Sequence, residues 1–367
     1  MTNDNVKHFF AGGNTARGFA NLFESSFQGL DRLYILKGGP GTGKSTLIQE
    51  IGTDLANAGY ELWFIHCSSD HDSLDGLVVP KLKIGIVDGT APHVVEPRLP
   101  GAVEQYVNLG EAWDTGKLKE KREEIELLND RINAAYELAY EGFAEALRIH
   151  DEWEAIYIEH MDFAAADALT EQYINVLFGN DRKDKPSRTD HRFLGAATPS
   201  GAVDFVPNLT EGLQKRYFVK GRPGSGKSTM LKKMAAAAAE RGLDVEIYHC
   251  GFDPNSLDMV IVRELSFAIF DSTAPHEYFP ERPGDEIVDM YEGCIEAGTD
   301  EANAEVLSEI KQRYTDKMQQ SIGFLAEAKA AHDELEQIYA DAMDFRIVDQ
   351  IRRKIQQEIA GVVTIGD

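Results

Sequence analysis

The sequence predicts an α/β protein that contains one architecture twice, each copy a parallel sheet covered by helices and carrying a long helical arm. Three observations carry that prediction. A shift of 183 residues lays Phe10–His93 on Phe193–His276 without a gap. Within each copy, short apolar runs alternate with amphipathic helical stretches, the order that builds parallel sheets. From about 110 to 179, and again from about 300 to 360, the chain turns to long, charged, proline-free sequence that favours helix.

The elements follow in order. Leu33-Tyr34-Ile35-Leu36 is a short apolar run ahead of a glycine-rich turn and reads as a buried strand. Ser45 to Ala58 places Leu47, Ile48, Ile51, Leu55 and Ala58 on one helical face, and Gly59 ends the helix. Residues 61–66 and 83–88 read as two further strands. Later in each copy His150-Asp-Glu-Trp-Glu-Ala-Ile-Tyr157 matches His332-Asp-Glu-Leu-Glu-Gln-Ile-Tyr339, and Met161-Asp162-Phe163 matches Met343-Asp344-Phe345. That register is 182 residues, so compensating insertions and deletions lie between the two matching blocks. Polar, aperiodic sequence from Asn180 to Arg188 reads as the linker, which divides the chain into repeats 1–183 and 184–367.

Composition narrows the function classes. With 43% hydrophobic and 27% charged residues, the chain is an ordinary globular sequence, neither disordered nor collagen-like. Its 367 residues suit two domains of about 150 residues or somewhat more. No apolar run approaches the length of a membrane span. The first residues lack the basic and apolar regions of a secretory signal, and three cysteines are too few for a disulfide framework. Together these features predict a cytoplasmic protein. A formal charge of −25 repels phosphate backbones, so neither nucleic acid nor membrane is an expected partner.

The strongest motif is the glycine-rich turn. Gly38, Gly39, Pro40, Gly41, Thr42, Gly43, Lys44, Ser45 and Thr46 satisfy G-x-x-x-x-G-K-[ST]. So do Gly221, Arg222, Pro223, Gly224, Ser225, Gly226, Lys227, Ser228 and Thr229. Glycines let successive backbone N–H groups face one anion, and the positive end of the following helix adds to the same place. Lys44 and Lys227 would reach the β- and γ-phosphates, and the Ser45 and Ser228 hydroxyls would join the shell of a Mg²⁺ ion. Each match follows an apolar strand and opens an amphipathic helix, which is the context the chemistry requires.

On these loops the chain resembles the P-loop NTPases. More narrowly it resembles a little-characterised bacterial family of tandem P-loop ATPase-like proteins, through both loops, both Asp-x-Thr-Ala-Pro-His segments and both His-Asp-Glu helices. The resemblance implies two P-loop NTPase cores, two nucleotide sites, and ATP or another NTP with Mg²⁺ as cofactors. Asp88 and Asp271 each close an apolar strand, the Walker B form, which predicts that they hold Mg²⁺ together with Ser45 and Ser228. A strand-ending aspartate that caps the next turn is the alternative. Gly89 and Ser272 follow them, where many ATP-hydrolysing members carry glutamate, so another group orients water or the phosphate goes to another acceptor.

His93 and His276, in Thr-Ala-Pro-His, are the remaining catalytic candidates beside Lys44 and Lys227. An imidazole there would contact the γ-phosphate or act as a base, or else fix its own loop by hydrogen bonds. A metal set of His66, Cys67 and His93 lacks the usual ligand spacing, and adjacent strand residues point to opposite faces. His150 and Glu154 share one helical face, which either solvates an arm or forms a lid over the nucleotide. Lys117, Lys119, Lys121 and Arg122 read first as a solvated face. Arg98, Arg222 and Arg282 are arginine-finger candidates that spacing does not separate. Three functions follow: a fused pseudo-dimeric ATPase, a small-molecule or nucleotide kinase, or a nucleotide-gated protein that grips a protein partner through its arms.

Overall fold

The computed structural model describes residues 5–366. In the first repeat the elements are β1 (Val6–Phe10), β2 (Gly12–Thr15), β3 (Gly18–Asn21), α1 (Phe23–Ser26), β4 (Arg32–Lys37), α2 (Lys44–Asn57), β5 (Leu62–Cys67), β6 (Asp70–Val79), β7 (Ile84–Asp88) and β8 (Glu104–Asn108). Its arm is α3 (Thr115–Glu120), α4 (Arg122–Glu159) and α5 (Phe163–Phe178). The second repeat gives β9 (Thr189–Phe193), β10 (Gly195–Thr198), β11 (Gly201–Asp204), α6 (Val206–Leu209), β12 (Lys215–Lys220), α7 (Lys227–Glu240), β13 (Val245–His249), β14 (Leu257–Val262), β15 (Phe267–Asp271) and β16 (Asp285–Asp289). Its arm is α8 (Met290–Cys294), α9 (Thr299–Ala302), α10 (Ala304–Ala340) and α11 (Phe345–Gly366). No described helix is long and apolar enough to cross a membrane.

The predicted strands and helices form, but the sheet differs from two separate parallel ones. A single 12-stranded sheet runs β16-β12-β15-β14-β13-β9-β1-β5-β6-β7-β4-β8, a two-fold arrangement about its centre. It is mixed and mostly parallel: β6 is antiparallel to β5 and β7, as β14 is to β13 and β15. The cause is the connection. Only two residues separate β5 from β6, too few for the crossover that a parallel strand needs. The halves join at one antiparallel pairing, Phe10 with Phe193.

A buried charged seam reinforces that join. Arg192 is fully buried on β9, its guanidinium 4.5 Å from the Phe9 ring and 4.3 Å from that of Trp63, both from the first repeat. Glu246 receives Arg263 at 2.6 Å and lies 3.6 Å from Arg192. Burial would raise the Glu246 pKa, but Arg192, Arg263 and Lys7 overcome it and hold the carboxyl at about 2.

The arms cross. Although α5 belongs to the first repeat, its Ala166, Tyr173, Ile174, Leu177 and Phe178 sit in the core with Tyr217, Met230, Leu231 and Ile269 of the second. Reciprocally, Val348, Ile355 and Ile359 of α11 join Tyr34, Leu47, Ile48 and Ile86 of the first. The sequence boundaries therefore separate repeats but not packing units. With 38 residues, α4 spans about 57 Å, enough to carry the chain from one half to the other.

The seam yields a stability prediction. Removing one partner of a buried ion pair typically costs roughly 3–5 kcal/mol. Arg192→Ala should lower denaturant stability by up to about that amount, and adding Glu246→Gln should lower it further, because Arg263 then loses its carboxylate as well. An Arg192→Ala protein within about 1 kcal/mol of the parent would show that the seam contributes little.

Candidate functional site

Both glycine-rich loops leave a strand and enter a helix, β4 to α2 and β12 to α7, as the spacing predicts. Gly41 and Gly43 take φ of +65° and +82°, and Gly224 and Gly226 take +75° and +86°, conformations that L side chains rarely adopt. Lys44 is 9% exposed and donates to Gly38 O at 3.0 Å and Gly39 O at 2.6 Å, with Asp88 Oδ2 3.5 Å away. Lys227 donates to Arg222 O at 2.8 Å and lies 3.6 Å from Asp271 Oδ2. The Ser45 hydroxyl accepts from Leu74 N at 2.9 Å, and Ser228 accepts from Leu257 N at 3.0 Å. Thr46 and Thr229 are exposed one position further along. Loop, lysine, serine and strand-end aspartate thus come together in each repeat.

Each strand-end aspartate has one oxygen engaged. Asp88 Oδ1 accepts from Thr90 N at 2.9 Å and from the Thr90 hydroxyl, and Asp271 Oδ1 does the same with Thr273. The other oxygen faces the loop lysine. The turn-capping role and the lysine-facing role therefore coexist in one carboxylate.

A second carboxylate lies beside each. Gly76 pairs with Val87 and Met259 with Phe270, so the antiparallel registers place Asp75 across from Asp88 and Asp258 across from Asp271. Burial, with Asp271 nearby, raises the Asp258 pKa to about 6 despite an opposing contribution from His276. Asp75 matches Asp258 at the 183-residue shift, which is the sequence signal that marks it. Ser45, Asp75 and Asp88 offer only hard oxygen donors, a set that fits Mg²⁺.

His93 and His276 lie behind these aspartates, His93 buried and His276 partly so. His93 is 5% exposed, packs 4.7 Å from the Phe23 ring, and sets Nε2 3.3 Å from Asp75 Oδ1. Burial lowers its pKa, but Asp75, by charge and hydrogen bond, and Asp88 override this and raise it to about 9. His276 Nδ1 lies 2.8 Å from Asp204 Oδ2, and its pKa is also raised against burial, by Asp204 and Asp258. A charged imidazolium at His93 would donate a proton rather than accept one, and its contact with Asp75 balances buried charge.

Lys37 and Lys220 tie down the segment that carries these histidines. Lys37 donates to Gly89 O at 2.7 Å and Val95 O at 3.1 Å; Lys220 donates to Ser272 O at 2.6 Å and Tyr278 O at 2.8 Å. The two lysines match at the 183-residue shift.

His66 and Cys67 part company, as strand alternation requires. His66 Nε2 meets His8 Nδ1 at 2.8 Å, while the half-buried Cys67 lies beside Asp75, its thiol pKa raised by burial and by that carboxylate. His66 is lowered to about 4, chiefly by burial. They do not converge with His93 on one point. Among the described residues, the His/Cys/Asp/Glu clusters tight enough for a metal are His150-Asp151-Glu154 and His332-Asp333-Glu336 on the arms. Arg98 pairs with Glu24 at the surface and Arg282 with Asp285, both away from the loops; Arg222, within its loop, is held by Asp300 at 2.8 Å. Lys117 caps Asp341 O at 3.1 Å, and Lys121 and Arg122 form exposed pairs with Glu124 and Glu126.

The chain matches no family model, no curated protein and no solved structure. Its site is read from its own geometry.

The His93–Asp75 pair makes a pH prediction. A histidine whose pKa rises from an unfolded value near 6.5 to about 9 stabilises fully below about pH 6.5 and loses that contribution as pH rises through 9. The stability gap between parent and His93→Gln, followed by thermal melts from pH 6 to 10, should narrow with increasing pH. At pH 6 it should be on the order of 3 kcal/mol. A flat gap would mean that the buried pair is neutral.

Proposed function

We propose that the protein binds two nucleoside triphosphates, ATP foremost, with Mg²⁺, and hydrolyses them as a fused pair of P-loop NTPase cores. One observation carries this reading: both loops retain lysine, serine and a strand-end aspartate, with lysine and aspartate 3.5 and 3.6 Å apart. The loop N–H groups and the start of α2 or α7 would bind the phosphates. Lys44 and Lys227, now donating to their own loop carbonyls, would exchange those partners for phosphate oxygens. Asp88 and Asp271, beside Ser45 and Ser228, would hold Mg²⁺, which when bound neutralises charge on the β- and γ-phosphates. His93 and His276 would keep a proton behind the aspartates and limit repulsion between paired carboxylates.

The glutamate missing after each aspartate favours a second reading, phosphate transfer to a small-molecule acceptor. In either case the acidic surface supports a soluble, cytoplasmic protein that binds nucleotide and not nucleic acid. The third reading, partner binding through the arms with slow turnover, predicts tight ATP binding with negligible phosphate release. Phosphate release without an acceptor supports hydrolysis; release only with an added metabolite supports transfer.

Two measurements test nucleotide binding. Calorimetry with a non-hydrolysable ATP analogue should saturate near two equivalents, at one after Lys44→Ala or Lys227→Ala, and at none with both. Saturation at one in the parent, unaltered by Lys227→Ala, would confine binding to the first repeat. For the metal, a Lys227→Ala background isolates the first loop. There, excess ATP at about 100 times its Kd should stabilise the fold by about 2.7 kcal/mol. Asp88→Asn should remove the Mg²⁺-dependent part of that gain. Equal Mg²⁺-dependent stabilisation in both proteins would take Asp88 out of the metal site.

A further inference from the structure

The crossed arms place the opposite repeat's residues on each loop. α4 and α10 lie antiparallel, tied by Arg131–Glu334, Glu145–Lys317 and Glu152–Arg313. At Gly142 they pass so close that a side chain would meet Ser321 Oγ. The far end of α10 then settles on the first loop. A Cβ on Gly41 would run into the carbonyl oxygen of Glu336, and one on Gly39 would sit 3.1 Å from Tyr339. The far end of α4 settles on the second loop in the same way, with Glu154 O 2.6 Å and Ile158 3.1 Å from the Cβ position of Gly224.

Each of these helix ends carries the same pair. His332 Nδ1 stands 3.8 Å from Glu336 Oε1, and His150 Nδ1 stands 3.7 Å from Glu154 Oε1. Both carboxylates are about two-fifths exposed, so neither is consumed by the packing. His150 is also within electrostatic reach of the loop lysine: burial and Lys227 lower its pKa while Glu154 raises it.

We propose that each phosphate site is completed in trans by the opposite repeat, with Glu336 and His332 serving the loop of Lys44 and Glu154 and His150 serving the loop of Lys227. The inference rests on the nucleotide-binding reading above and supplies the glutamate that neither repeat carries after its strand-end aspartate. In the hydrolytic step the water oxygen forms a bond to the γ-phosphorus as the bond from that phosphorus to the bridging oxygen breaks. The bridging oxygen leaves with ADP, and the water proton passes to the glutamate carboxylate and then to solvent. The histidine one turn earlier orients that carboxylate.

Single-site backgrounds test the wiring. With Lys227→Ala leaving only the first loop competent, Glu336→Gln should release phosphate about 10²-fold more slowly than Glu154→Gln. With Lys44→Ala the order should reverse. ATP affinity by calorimetry should stay within a few-fold in all four proteins, since a glutamine is nearly isosteric and a packing defect would move affinity and melting temperature instead. Loss that follows the glutamate in the same repeat as the working loop, or equal rates for both variants, overturns the assignment. A parent that binds two nucleotides yet releases no phosphate also overturns it while leaving nucleotide binding intact. A parent that binds none removes the reading beneath it.

Discussion

The contact on which this structure depends is the approach of a helix backbone to a glycine loop of the other repeat. Gly41 meets the backbone of Glu336, and Gly224 meets that of Glu154. Neither contact survives a Cβ, so these glycines satisfy two demands at once: a positive φ for the loop and room for the arm. The sheet alone could not hold the halves, because β1 and β9 share a single pairing. The apolar core that both repeats share around Phe9, Ile35, Leu194 and Phe218, together with the arms, supplies what is missing. Each fully buried aliphatic or aromatic side chain of α5 or α11 contributes roughly 1.5–3 kcal/mol to a core it does not belong to in sequence. Either repeat without the other would expose the face that its partner's arm covers, so cooperativity between halves follows from connectivity.

Duplication has not left the two repeats interchangeable at their join. Where the first repeat places Phe9 and Trp63, the second places Arg192 and Glu246 at the matching positions. The guanidinium lies between the two aromatic rings, and its carboxylate partner comes from its own repeat. Two first-repeat surfaces would meet ring to ring with no cation between them. Two second-repeat surfaces would bury two arginines and two glutamates with no aromatic ring beside them. The seam therefore fits only the mixed pair, which suits a fused chain and disfavours association through isolated copies of one repeat.

Much of this was legible in the sequence, for reasons that also explain the gaps. The loops, the strand before each, the helix after each and the aspartate-ending strand depend on local pattern, and they lie where that pattern puts them. The direction of β6 depends on its two-residue link to β5, which the apolar run Leu74 to Val79 does not encode. The crossing of the arms was hidden for a stronger reason. Tyr173, Ile174 and Leu177 form the same apolar face whichever repeat they pack against, since periodicity specifies a buried face and not its partner. Asp75 was visible as an identity across the repeat but not as a neighbour of Asp88, because register alone sets that proximity.

The same duplication shows which property of the loop surroundings persists when partners change. His276 is held by Asp204, with Tyr278 donating to that carboxylate at 2.7 Å. The first repeat has Asn21 and Val95 at those positions, and His93 turns instead to Asp75. Both imidazoles nevertheless keep a raised pKa, each close enough to its strand-end aspartate to be influenced by it. The two loops also differ at their second residue. Arg222 is bound to Asp300 and stacked 4.6 Å from the Tyr291 ring, whereas Gly39 leaves that place to Tyr339 of the crossing arm. The second loop is thus tethered to the root of its own arm as well as covered by the other, and the first is only covered. Two motifs identical in their lysine, serine and aspartate consequently sit in different frames, with an ion pair fixing only the second loop to the root of its own arm.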